Sequence, residues 1–206
     1  VVQGIKPLTV PKTVMDKTIR RSKKEEIDGA EYPLLQARVA NVKATSFKIR
    51  WNKLKGATGY LVYGNKCGKK NKFEYIKETG NTSYKATKKK KNSFYKYVVV
   101  AVRDDKVVAV SKTVHVATKG GKVTNDKRVK TKVKKNKKTI KVKKTFKIKA
   151  KEVKPKKGKV KRHRPIKYES LNPKVATVNA KGVVKGVKKG KTSVFAYAQN
   201  GVFAND

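Results

Sequence analysis

The sequence predicts an all-β chain of two tandem β-sandwiches behind an extended N-terminal leader. Three observations carry this prediction. From Leu34 onward apolar residues alternate with polar ones at period two. No segment has an apolar stripe at helical spacing and of helix length. The run Lys119-Gly120-Gly121-Lys122 interrupts the alternation once, and the alternation then restarts.

The first 33 residues hold Pro7, Pro11, Pro33 and the mixed run Arg20-Arg21-Ser22-Lys23-Lys24-Glu25-Glu26, with little apolar periodicity. They read as an extended leader or linker over 1–33, with a short helix near 15–27 as a weaker option. The N-terminus, Val1-Val2-Gln3-Gly4, reads as that of a mature chain or a fragment.

Residues 34–118 carry seven expected strands. Leu35, Ala37 and Val39 mark the first, and Phe47, Ile49 and Trp51 the second. The third holds Tyr60 to Tyr63, after the turn Lys55-Gly56-Ala57-Thr58-Gly59. Phe73 to Lys77 is the fourth and Ser83 to Thr87 the fifth. Phe94 to Val102 is the sixth, with Tyr95, Tyr97, Val99 and Ala101 on one face. The turn Asp104-Asp105-Lys106 leads into the seventh, Val107 to Ala117. Strands this short, at spacings of roughly 8–14 residues with turn signals between, make a sandwich.

Residues 119–127 read as a linker, and 128–206 as the second domain. There Ile140 and Val142 face one way and Lys141 and Lys143 the other. Phe146, Ile148 and Ala150 then alternate with Lys147, Lys149 and Lys151. Ile166 to Tyr168, Val175 to Val178, Val183-Val184 and Ser193 to Ala198 follow. Lysine at every second position suits the wet face of a sheet and discourages edge-to-edge pairing.

Charge bounds the function. The chain has 57 Lys+Arg, 13 Asp+Glu and a net charge of +44. Residues 1–118 carry a net +18 and residues 119–206 a net +26. Lysines number 49 and arginines 8, a bias toward a hydrated coat over base reading, which favours arginine. A field of this size also attracts polyanions at low salt. No run of 18 apolar residues exists, so no transmembrane helix and no membrane insertion is expected.

Two stretches carry resemblances. Phe47-Lys48-Ile49-Arg50-Trp51, then Gly56-Ala57-Thr58-Gly59-Tyr60-Leu61-Val62-Tyr63, then Tyr95-Lys96-Tyr97-Val98-Val99-Val100-Ala101-Val102 together resemble a bacterial fibronectin type III domain over 34–118. The resemblance implies that Trp51 fills the core and that the Tyr95 hydroxyl hydrogen-bonds backbone in a corner. Tyr168 to Val194, with Ser170-Leu171-Asn172-Pro173-Lys174-Val175-Ala176-Thr177-Val178, Gly182-Val183-Val184-Lys185-Gly186 and Gly190-Lys191-Thr192, resembles a bacterial immunoglobulin-like domain of group 2. The chain ends soon after Gly201, so a short or absent last strand is expected. Both resemblances imply immunoglobulin-like sandwiches. They also imply a Gram-positive surface or secreted setting, with roles in adhesion, glycan contact, domain spacing, or service to a larger enzyme.

The residues offer little chemistry. Cys67 is the single cysteine, so no internal disulfide forms, and Cys67, His115 and His163 lie too far apart in sequence for structural zinc spacings. His115 alternates with Val114 and Val116 and is expected to face solvent. The cations flanking His163 are expected to lower its pKa. Asp104-Asp105 reads as a turn, not a calcium site, and Glu25-Glu26 as solvated charge. Cys67 sits among lysines, with no His in its own loop and no catalytic partner evident there. Glu152 with Asn172 or Asn179 is a weak candidate for a lysine–asparagine crosslink. No catalytic residue, metal or cofactor is therefore assigned.

Lysine clusters remain as candidate binding groups: Lys88, Lys89, Lys90 and Lys91; Lys134 and Lys135; and Lys156, Lys157, Lys159, Lys161, Arg162 and Arg164. They suit a cell-envelope polymer such as teichoic acid, a glycosaminoglycan or other glycan, a host surface ligand, or nucleic acid at low salt. The aromatic residues fall on core-like faces and offer no stacking platform among the cations.

Overall fold

The computed structural model describes residues 34–104 and 106–205. The expected leader, with Glu25-Glu26, lies outside them, as does Asp105. The described residues divide into two compact units, the first ending at Gly121 and the second beginning at Lys122.

The first unit is a sandwich of two antiparallel sheets. One has the order β1 (Arg38–Ala40), β2 (Phe47–Arg50), β5 (Ser83–Ala86). The other has the order β4 (Glu74–Thr79), β3 (Gly59–Lys66), β6 (Phe94–Arg103), β7 (Lys106–Val110), and β8 (Val114–Ala117) also pairs with β6. The expected seventh strand is thus two. Val99 N–H donates to the Ser111 hydroxyl (3.0 Å) and Ser111 N–H to Val99 O (2.9 Å), so Ser111 occupies the break between β7 and β8.

The inward residues of both sheets meet in one core: Val39, Phe47, Ile49, Trp51, Tyr60, Val62, Tyr95, Tyr97, Val99 and Ala101. Trp51 packs on Tyr60, ring centroids 5.6 Å apart. Gly64 makes room for Tyr97, whose ring lies 2.5 Å from where a Cβ would stand. β3 and β6 are also buried on their second face, through Leu61, Tyr63, Val98, Val100 and Val102. The sequence reading did not anticipate that face, because an antiparallel sheet usually wets one side.

The Tyr95 hydroxyl accepts the Lys90 N–H at 2.9 Å, and the Lys90 carbonyl accepts the Thr118 hydroxyl at 2.7 Å. The loop before β6 is clamped from both sides. Tyr95→Phe is expected to lower the stability of this unit by about 0.5–1.5 kcal/mol, since exposed Lys90 recovers part of the bond from water. Chemical denaturation checks this, and an unchanged midpoint would show that the corner contributes nothing.

The second unit is also a sandwich. β11 (Thr145–Lys147), β16 (Val183–Gly186) and β15 (Ala176–Val178) form one sheet. β14 (Lys167–Ser170), β17 (Val194–Tyr197) and β18 (Phe203–Asn205) form another. Ile148, Ala176, Val184 and Val194 pack between them, with Phe146 and Tyr168 at the margin. β10 (Arg128–Thr131) pairs with β12 (Ala150–Val153), and β9 (Val123–Thr124) runs parallel to β13 (Lys159–Val160). The segment read as a linker over 119–127 therefore contributes a strand to this unit.

The second unit departs from expectation at two further points. Ile140 to Lys143 form no strand: Lys143 adopts φ 69° in a turn, its N–H bonds Gly186 O, and Val142 is 46% exposed. Gly186 permits this approach, since a Cβ there would lie 2.8 Å from Lys141 O. The expected strand from Phe146 is two strands on different sheets, β11 and β12. The switch occurs where Ile148 N–H bonds Gly182 O. The last strand, β18, is present with three residues and pairs with β17.

Candidate functional site

The cations named from sequence stand mostly in surface loops and turns. Lys88, Lys90 and Lys91 are exposed and Lys89 half-buried, its ammonium 5.3 Å from the Tyr95 ring centroid. Lys134 and Lys135 lie in a single 3-10 turn, with Lys135 at φ 53°, and Lys156, Lys157, Lys159, Lys161 and Arg164 are exposed. The clusters stand in separate stretches of loop and turn, save Lys159, which begins β13.

Arg162 differs from the rest. Its Nη1 donates to Asp126 Oδ2, and its Nε stands 3.8 Å from Glu152 Oε1. The bond to Asp126, more than burial, moves the guanidinium pKa, and moves it up. Arg162 is committed to structure and is poorly placed for a ligand. Asp126 itself is buried, and its carbonyl accepts the Asn200 side-chain N–H at 2.9 Å. Sequence reasoning missed Asp126, since nothing local marks an acid in a charged segment as buried.

Glu152 faces Arg162, which answers its expected role in a crosslink. Asn172 Oδ1 accepts Lys174 N–H at 3.0 Å, and Asn179 Oδ1 accepts Lys181 N–H at 2.9 Å. Both asparagines hold turns.

His115 departs from expectation. It is 5% exposed, and its Nδ1 lies 3.4 Å from Cys67 Sγ. Pairing of β6 with both β3 and β8 creates this contact, bringing together residues 48 positions apart in the chain. The thiol therefore has an imidazole beside it, from another strand instead of its own loop. The first unit supplies two ligand atoms at this point, and a structural zinc site takes four.

His163 N–H donates to Gln199 Oε1 at 2.7 Å. Burial first, then Lys161 and Arg164, hold the imidazole pKa below its ordinary 6.5. An NMR titration of the ring protons should place His163 below 6.5. Raising salt to about 1 M, where the Debye length is roughly 3 Å, should move it up only in part, because burial persists. A value at or above 6.5 would remove both causes.

Among the described residues, no side chains converge as a nucleophile, base and oxyanion donor. What the structure displays is cationic surface on two sandwiches.

Residues 129–205 match the model of the family described as bacterial Ig-like domain (group 2). The match spans most of the second unit, which is similar to domains of that family. The first unit, a three-stranded sheet packed on a larger one with the Tyr95 corner, is similar to fibronectin type III domains. Similar solved structures include the fibronectin type-III domain of human fibronectin type III domain containing protein 3. That likeness has 13% identity and a TM-score of 0.39, covering 47% of this chain and 94% of that one. Another is the FN5 domain of Drosophila Lar, with 20% identity, a TM-score of 0.35, and coverage of 42% and 96%. No curated protein matches the chain. Domains of both kinds are typical of extracellular proteins, and the Ig-like one is bacterial. Among the described residues no helix is long and apolar enough to cross a membrane.

Proposed function

We propose that this chain is a non-catalytic extracellular module of a bacterial surface or secreted protein, serving adhesion, glycan contact or domain spacing. The observation that carries the reading is the succession of two sandwich units, the second similar to bacterial Ig-like domains. Their alternating strands place aromatic residues such as Phe47, Trp51, Tyr95 and Tyr97 in cores and lysines outward. Labelled chain should stay on isolated bacterial cell walls at about 0.15 M salt, where charges beyond roughly 8 Å are screened. Turnover of wall glycan or peptide by the purified chain would overturn the reading.

A second reading is polyanion binding. Of the twelve cations named from sequence, eleven are exposed and Lys89 is half-buried. Binding should then weaken steeply with salt. A chain that passes through immobilised anionic polymer even at low salt would refute it.

A further inference from the structure

Strand register builds a cationic surface that no sequence run announces. β2 pairs with β1 and with β5, both antiparallel. Phe47, Ile49, Val39, Tyr84 and Ala86 point into the core, so the residues between them form the outer face. On that face Arg38 stands directly opposite Arg50, and Lys48 directly opposite Lys85. The remaining positions are Ala40, beside Lys48, and Ser83, beside Arg50. Arg38, Arg50 and Lys85 are exposed and Lys48 half-buried. None of the four has an acidic partner among the described residues.

Like charges directly opposite destabilise a sheet. Here two such pairs are adjacent, and the two small residues flank them without covering them. Strands lie about 4.8 Å apart, and alternate residues on one strand about 6.8 Å apart. The four cations therefore form a stepped band about 12 Å long from β1 to β5. Two of the four are arginines, whose planar forks take phosphate bidentately. The aromatic side chains of these strands, Phe47 and Tyr84, point into the core, so the face offers nothing for bases to stack on.

We propose that this face binds a linear, base-free phosphodiester polymer, of the polyol-phosphate kind found in bacterial walls. The proposal rests on the polyanion reading and goes further by assigning it to one sheet face instead of the lysine loops. Bound phosphates would relieve the repulsion that the register imposes. The face is thus expected to trade stability for binding.

The test uses the full chain and poly(glycerol phosphate), with affinity measured at several salt concentrations. The double variant Arg38→Glu/Lys85→Glu should weaken binding at least tenfold at about 50 mM salt. Removing the two contacts should reduce the slope of log K against log salt by about 1.4. The same variant should raise the melting temperature, since each repulsive pair becomes an attractive one. Lys189→Glu/Lys191→Glu makes the same change in net charge on exposed residues elsewhere, and should lose less than threefold. Equal loss in the two double variants, or a larger loss from Lys88→Gln/Lys89→Gln/Lys90→Gln/Lys91→Gln, would overturn the assignment to this face and leave the polyanion reading standing. Absence of binding by the unmodified chain would overturn both. Equal affinity for oligothymidylate, lost in the same variant, would overturn the choice of a base-free polymer.

Discussion

Phe47→Ala is expected to destabilise the first unit by about 3–5 kcal/mol, the range for deleting a fully enclosed aromatic ring. Phe47 is 1% exposed. It packs on Tyr95 at 5.9 Å between ring centroids, and edge-on against Tyr97 at 5.4 Å. The edge-to-face contact adds about 0.5–1.5 kcal/mol beyond the buried area. Three rings from two sheets meet here, so the cavity has no flexible neighbour to fill it. Domains of this size are stable by about 5–15 kcal/mol, so the variant should sit near the edge of folding. The fluorescence of Trp51, the only tryptophan and part of the same core, reports the transition during urea titration. Phe47→Leu keeps most of the volume and should lose less. A loss under about 1 kcal/mol for the alanine variant would contradict close packing at this point.

The second large effect concerns Asp126 and Arg162, and it is asymmetric. The Asp126 side chain has no exposure, whereas that of Arg162 retains 38%. Asp126→Ala frees a guanidinium that water can reach, and should cost about 1.5–3 kcal/mol, the worth of a charged hydrogen bond. Arg162→Leu leaves a carboxylate enclosed without its counter-charge, and should cost about 3–5 kcal/mol. The double variant should lose less than the sum, since each single change already breaks the pair. Hydrogen exchange at Lys127, whose N–H bonds Val153 O at 2.8 Å, reads the local opening. Equal losses for the two single variants would show that exposure does not govern the pair.

Much of the fold was legible because in–out alternation is a local property. Phe47-Lys48-Ile49-Arg50 carries its own orientation, and β2 buries Phe47 and Ile49 as that pattern requires. Tyr95 and Trp51 were legible for another reason: the resemblance implied a backbone partner for the Tyr95 hydroxyl and a core place for Trp51, and the structure supplies both. The same logic failed at Ile140 to Lys143, where alternation is present but Gly186 draws the backbone into a turn. It also failed at His115, since alternation puts a polar residue outside, whereas this one is buried with Cys67 against its ring.

Sequence alone determined the all-β class, the point where the alternation breaks and restarts, the lysine-rich exterior and the shortage of catalytic groups. Each follows from residue type and spacing along the chain. Tertiary structure alone decided which cations stand opposite one another, which acid is enclosed, and which imidazole meets the thiol. Those are facts of register and strand order, and pairing energies between distant segments set them. A one-residue slip of β5 against β2 would turn Lys85 inward and leave the composition unchanged.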